Sequence, residues 1–202
     1  ATLADSSGAT IQRGRTFNGI NAAIKRHPLV SGVRTLGEIF EFPTLGMGFL
    51  VRREVFDRVP YPEGRRLEDY EFQLDVAAGG FGVYYCHQPL ARYRLHGGNA
   101  SSHYGLAAMA EQVVVLIRRA VERYPVLREV PGRIRRRAAD AETDLGIARL
   151  RERQVLRGLA SLSRAVAWDP RRAIDLARIA WRQAVRRTRR ARPLSNVAPS
   201  SR

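Results

Sequence analysis

Cysteine is nearly absent from this chain of 202 residues, which contains only Cys86. One thiol excludes an intrachain disulfide and a zinc site built from several thiolates, and it fits a reducing compartment. The sequence also lacks any run of about 18 apolar residues, so no membrane-spanning helix is predicted. Because it begins at Ala1 with neither a methionine nor a signal-peptide pattern, we expect a fragment or a mature form.

Lysine is equally scarce, since Lys25 is the only one and arginine carries the positive charge. The formal net charge is +16, from 35 basic and 19 acidic side chains. Residues 1–117 carry 12 basic and 11 acidic side chains, a net of +1, whereas residues 118–202 carry 23 and 8, a net of +15. The excess charge therefore belongs to the C-terminal part, while a hydrophobic content of 45% indicates a folded core.

The residues with evident chemistry lie between Thr44 and Ser101. Residues 46–51 are predicted to form a buried strand that is entered through Gly46, Met47 and Gly48. Two glycines at a strand lose packing and backbone entropy, which indicates a place where a ligand or another backbone comes close. A bulge or a tight bend explains them equally well.

Next along the chain, apolar residues recur at helical spacing and predict a helix over residues 67–77. Glu68 and Asp69 fall in its first turn. The helix dipole favours carboxylates there and by itself accounts for the pair. A carboxylate at this position is also suited to face the mouth of a pocket.

Residues 81–87 and 90–95 alternate as strands, and His96 ends the second strand at a Gly-Gly turn. Arg92 and Arg94 share one face of that strand, where they either hold phosphate oxygens or form a solvated surface. His96 is either an exposed turn residue or a metal ligand.

Three segments in this order carry a resemblance to a known family. They read GMGFLVRREVF, LEDYE and PLARYRLHGGNAS. Together they resemble the C-terminal half of a family 2 glycosyltransferase of the GT-A fold, over about residues 1–105. The resemblance implies an α/β fold, an incomplete GT-A or Rossmann-like portion with a mixed sheet, followed by an α-helical C-terminal region.

The resemblance also implies roles for particular residues. Gly46, Met47 and Gly48 would lie beside the donor diphosphate and the acceptor. Asp69, with Glu68 beside it, would be the general base, and His96 would help to bind a divalent metal. Inverting sugar transfer requires a carboxylate to take the proton of the acceptor hydroxyl, and a metal to neutralise the departing diphosphate.

The implied partners are a nucleotide-sugar donor, a glycan or lipid-linked acceptor such as one for cell-envelope polysaccharide, and Mg²⁺ or Mn²⁺. The family's Asp-x-Asp metal motif and its nucleotide-binding half are absent from these residues. We therefore expect a truncated enzyme that depends on a donor-binding half to be active.

The remainder of the chain is predicted to be helical, with helices over residues 104–124, 133–164 and 169–190. The expected organisation is an acceptor-side part over residues 1–103, a basic helical region over 104–192 and a disordered tail over 193–202.

In the last helix Ile174, Ala177, Trp181 and Val185 form an apolar stripe flanked by arginines. As an alternative function, the basic helices form a non-catalytic module that binds an anionic membrane or nucleic acid. Membrane contact is the better of the two, because no nucleic-acid-binding fold precedes the helices. A solvated face of a helical bundle explains the charge as well. The expected location is the cytoplasm, at the inner face of the membrane if the helices bind lipid.

Overall fold

A computed structural model describes residues 30–42, 49–64, 66–86, 105–178 and 181, and describes the backbone of three further short segments. These are residues 2–4, 10–12 and 92–94.

Helices dominate the described part of the chain. They are α1 (Leu36–Glu41), α2 (Arg53–Phe56), α3 (Glu68–Ala78), α4 (Leu106–Arg123), α5 (Pro131–Arg151), α6 (Val155–Trp168) and α7 (172–178). A 3-10 turn, Pro125–Glu129, joins α4 to α5. Of the helices that the structure describes, none is long and apolar enough to cross a membrane.

The described strands have three residues each. They are β1 (Thr2–Ala4), β2 (Thr10–Gln12), β3 (Gly32–Arg34), β4 (Val83–Tyr85) and β5 (Arg92–Arg94). β1 pairs antiparallel with β2 and parallel with β5, so that Leu3 lies opposite Tyr93. β3 and β4 form a separate antiparallel pair, with Val33 opposite Tyr84.

The predicted fold class, an α/β incomplete GT-A portion with a mixed sheet, is wrong. The protein is mainly helical. The strands β2, β1 and β5 form a small mixed sheet of three-residue strands, but the described residues contain no Rossmann-like sheet. The strand predicted at residues 46–51 shows why the prediction failed. Phe49 and Val51 pack against the core but lie in irregular backbone, and Leu50 is fully exposed at 104%. Short apolar alternation does not distinguish a strand from a loop that lies on a core.

A capping box begins α1. The Thr35 hydroxyl accepts from the Glu38 N–H at 3.3 Å, and Glu38 Oε2 accepts from the Thr35 N–H at 2.8 Å. This exchange satisfies two backbone donors that a helix N-terminus leaves free. It also holds the pKa of Glu38 below its ordinary value, chiefly through the Thr35 N–H.

One hydrophobic core joins α1, α3, α4 and the 3-10 turn. Phe40, Phe72, Leu74, Leu116 and Leu127 are all buried within it. Residues from both sides of the boundary predicted at 103/104 thus pack against one another. Burial of such side chains contributes about 1.5–3 kcal/mol each.

A buried carboxylate adds a polar connection across the same boundary. Glu41, at the end of α1, accepts from Arg133 Nη1 at 3.0 Å and from Arg136 Nε at 2.6 Å. Both arginines lie on α5 and are partly exposed. The charge of Glu41 is thereby compensated where water is largely excluded.

The helix predicted over residues 133–164 is interrupted, because α5 ends at Arg151 and α6 turns back against it. Arg153 takes a left-handed backbone, with φ of 63°. The Gln154 N–H donates to the Arg149 carbonyl at 2.8 Å, and the Arg153 N–H donates to the Leu150 carbonyl at 3.1 Å. This pair of bonds is the Schellman ending of a helix.

Candidate active site

The N-terminus of α3 holds the two predicted catalytic carboxylates. Glu68 and Asp69 are the first two residues of the helix, and both are half-buried. Leu67 precedes them with φ of 62° and ψ of 31°, in the left-handed region. That conformation costs a non-glycine residue about 1–3 kcal/mol, and such strain is concentrated at functional sites.

Asp69 is held by its own helix. The Tyr70 N–H donates to Asp69 Oδ1 at 2.8 Å. Burial raises the pKa of Asp69 above its ordinary value, and the neighbouring Glu68 carboxylate raises it further, against the lowering effect of the Tyr70 N–H. Among the described residues, the groups that act on this pKa include no arginine. The Asp69 carboxyl is therefore not neutralised by a described cation.

An aromatic cluster stands beside these carboxylates. Phe72, one turn after Asp69, is buried and lies 5.8 Å from Phe49, 5.4 Å from Phe56 and 5.1 Å from Tyr61, between ring centroids. Burial, Glu68 and Asp69 raise the pKa of Tyr61 in that order, so its hydroxyl lies within electrostatic reach of both carboxylates. An apolar wall of this kind favours the neutral form of a nearby carboxyl group.

The rest of α3 is anchored on two sides. The Tyr70 hydroxyl donates to the Phe40 carbonyl of α1 at 2.5 Å. On the other side the Tyr124 hydroxyl donates to Asp75 Oδ1 at 2.5 Å, and Arg123 Nη2 lies 2.8 Å from the same oxygen. The position of Asp69 is thus defined by a helix that polar contacts fix to α1 on one side and to the C-terminal end of α4 on the other. Side chains on such a supported element keep a fixed geometry.

The remaining predicted site residues are not brought together in the part of the chain that the structure describes. Gly46, Met47, Gly48 and His96 lie outside the described residues. Phe49, which follows Gly48 in the sequence, contacts Phe72.

Arg92 and Arg94 are described only by their backbone. They lie in β5, opposite Thr2 and Ala4 of β1. Their predicted contact with phosphate oxygens stays a prediction.

The described side chains alone do not form a metal site. Over the described ranges no group of three or more His, Cys, Asp or Glu side chains converges. Glu68 and Asp69 supply two carboxylates, fewer than the oxygen ligands that Mg²⁺ or Mn²⁺ takes from a protein with water and substrate. The predicted part of His96 in metal binding stays a prediction.

Two residues of this site were missed by the sequence interpretation. Tyr61 precedes Pro62 in a turn, and nothing in the local pattern indicates that it approaches Asp69. Leu67 reads as an ordinary apolar position of a helix, whereas it is the left-handed residue before that helix. The sequence Pro-Glu-Gly at residues 62–64 indicates a turn shortly before α3, and it is the only local signal that the backbone changes direction there.

Comparison of the chain with protein-family models, with curated proteins and with solved structures found no match. The resemblance to family 2 glycosyltransferases therefore rests on the three sequence segments alone.

Proposed function

We propose that this chain supplies the acceptor side of an inverting glycosyltransferase, with Asp69 as the general base. One observation carries the proposal: a half-buried carboxylate lies at the strained start of a well-anchored helix, with a raised pKa and no described cation on it. A positioned carboxylate of higher pKa is a stronger proton acceptor once it is ionised. The three ordered sequence segments support the same assignment.

In the proposed step, Asp69 takes the proton of an acceptor hydroxyl as that oxygen attacks the anomeric carbon of a nucleotide sugar. The new glycosidic C–O bond forms, the bond to the nucleoside diphosphate breaks, and the configuration at carbon inverts. Burial raises the pKa of Asp69 most, and the Glu68 carboxylate raises it further. In this proposal Glu68 therefore acts through Asp69, as a positioning residue. A divalent metal, when bound, would neutralise the leaving diphosphate.

The proposed acceptor is a glycan or a lipid-linked sugar, and the proposed location is the cytoplasmic side of the cell envelope. The sequence holds no recognisable nucleotide-binding half, and the proposal therefore covers the acceptor side of the reaction alone.

Replacement of Asp69 by Asn in the natural protein tests the assignment. We expect a loss of about 10²–10⁴-fold in kcat, the contribution of a general base. The measurement is release of nucleoside diphosphate from a panel of UDP-, GDP- and dTDP-sugars, with the candidate acceptors present.

The matched control is Glu71→Gln, on the same helix but paired with Arg123. It removes a carboxylate without touching the proposed base and is expected to keep transfer near the wild-type rate. Equal transfer by Asp69→Asn would show that Asp69 is not the base. Release of diphosphate from no donor at all would contradict the proposed function.

A further inference from the structure

The two C-terminal described helices have large apolar side chains on their solvent-facing sides. On α6 the buried residues are small, Gly158, Ser161 and Ala165, whereas Leu156 and Leu159 are exposed at 83% and 51%. A helix that belongs only to a soluble bundle places its large apolar residues inward. On α6, Leu162 and Val166 are partly buried and Leu162 packs against Gly146 of α5, whereas Leu156 and Leu159 remain exposed on the outer side.

The last described helix, α7, also exposes large apolar side chains. Its buried residue is an arginine, Arg172, which is paired with Asp140 of α5. Ile174 is exposed at 56%, and the helical residue Trp181 is exposed at 71%. The described members of the apolar stripe, Ile174, Ala177 and Trp181, are therefore exposed. A solvated face of arginines alone does not account for these apolar side chains.

Both helices contact α5 with their other faces. The carbonyl oxygens of Gly146 and Gly158 lie where α5 and α6 approach closely, and Arg172 attaches α7 to α5. Leu156 and Leu159 therefore lie on the face of α6 away from α5, and Ile174 and Trp181 lie on the face of α7 opposite Arg172. We call Leu156, Leu159, Ile174 and Trp181 the outer apolar surface.

Exposed arginines accompany this surface. Arg157 and Arg171 are exposed, and Arg178 is 70% exposed with only a 4.0 Å contact to Asp175. The segment 151–181 carries seven arginines and three acidic residues, a net of +4. A partner that fits this surface would bury the apolar side chains and would carry negative charge next to them.

We propose that the outer apolar surface docks on an anionic lipid membrane. Leucine, isoleucine and tryptophan insert at the headgroup boundary, and the flanking arginines attract the anionic headgroups. Nucleic acid would bind the arginines through its phosphates, but it would leave the apolar side chains exposed to water. A second copy of this chain would bring two positively charged surfaces together, and each chain has a net charge of +16, so the two copies would repel each other.

The chain contains its own reporter. Its two tryptophans are Trp168 and Trp181, so Trp168→Phe leaves Trp181 as the only one. With this variant at low salt, we expect vesicles of 30% phosphatidylglycerol in phosphatidylcholine to shift the emission to shorter wavelength. Pure phosphatidylcholine should produce little shift, and added salt should weaken binding to the anionic vesicles.

Two substitutions locate the contact by vesicle co-sedimentation. Ile174→Ser should weaken binding about tenfold through lost apolar burial. Arg178→Gln should weaken it about fivefold, the usual contribution of one arginine near an anionic surface. Leu106→Ser, at a similarly exposed leucine on α4, is the matched control and should leave binding unchanged.

No binding to anionic vesicles at low salt would overturn the proposal. Equal loss of binding in Ile174→Ser and Leu106→Ser would also overturn it, because the contact would not then lie on this surface. A concentration-dependent dimer that Ile174→Ser abolishes, without vesicle binding, would assign the surface to a second copy instead.

Discussion

At the scale of single residues, two left-handed positions serve different purposes. Leu67 lies two residues before the candidate base and packs against the core, which holds its left-handed conformation. Arg153 is exposed and merely ends α5. Its left-handed conformation is one that glycine adopts without steric cost.

Arg153→Gly is therefore expected to stabilise the protein. Glycine at this position removes the clash of Cβ with the backbone, and the free energy of unfolding should rise by about 1 kcal/mol. Urea denaturation measures the change. Arg157→Gly, an exposed position inside α6, is the control and should lower the free energy of unfolding by about 1 kcal/mol. Destabilisation by both substitutions would show that Arg153 does not end the helix in the way described.

At the scale of elements, the close approach of α5 and α6 depends on two glycines. A Cβ on Gly158 would lie 2.8 Å from Leu150 Cγ and 3.1 Å from the Gly146 carbonyl oxygen. Real Cβ atoms essentially never come within 3.0 Å of another atom, so either the Leu150 side chain would have to move or α5 and α6 would have to separate.

Gly158→Ala is expected to lower the free energy of unfolding by about 1 kcal/mol. Overpacking costs about 1–3 kcal/mol, and the better helix propensity of alanine returns about 1 kcal/mol. Gly132→Ala on α5 is the matched control, because its Cβ would meet nothing closer than 3.6 Å, and it should be neutral or stabilising. Thermal unfolding followed by circular dichroism compares the two, and equal midpoints would contradict the close contact.

Some helix boundaries could be predicted from the sequence and others could not. The helix predicted over residues 67–77 is observed as Glu68–Ala78, because its apolar spacing is regular and Gly79 and Gly80 follow it. The α5–α6 turn was missed, because no glycine or proline marks residues 151–154. The start of α1 was also missed, although its Thr-x-x-Glu pattern is a capping-box signal.

At the scale of the whole molecule, the error in fold class has a physical cause. Local alternation predicted strands, but no local pattern specifies which segments pair, and the observed strands extend for only three residues each. The ion pairs between distant elements could not be predicted either, because the sequence does not show which of its many arginines bind a carboxylate. Arg133 and Arg136 bind the buried Glu41, and Arg123 binds Glu71 and Asp75 on α3. Part of the positive charge thus connects the two halves of the core.

The candidate site was predictable only in part, for a related reason. Asp69 and Glu68 could be placed on the first turn of a helix from spacing alone. The approach of Tyr61 and the packing of Phe49, Phe56 and Tyr61 around Phe72 depend on tertiary structure. The burial of Asp69, which is the largest cause of its raised pKa, likewise depends on tertiary structure.

The central claim is that the surroundings of Asp69 raise the pKa of its carboxyl group, and titration of Asp69 tests this directly. The measurement is the pH dependence of the Asp69 ¹³Cγ chemical shift in the folded protein, compared between wild type and Glu68→Gln. Wild type should titrate above the ordinary 3.8 of an aspartate, and Glu68→Gln should move the midpoint downward because a like charge is removed. Since a base acts only when ionised, transfer should fail as the pH drops through the same midpoint. A midpoint at or below 3.8 that Glu68→Gln leaves unchanged would contradict the account.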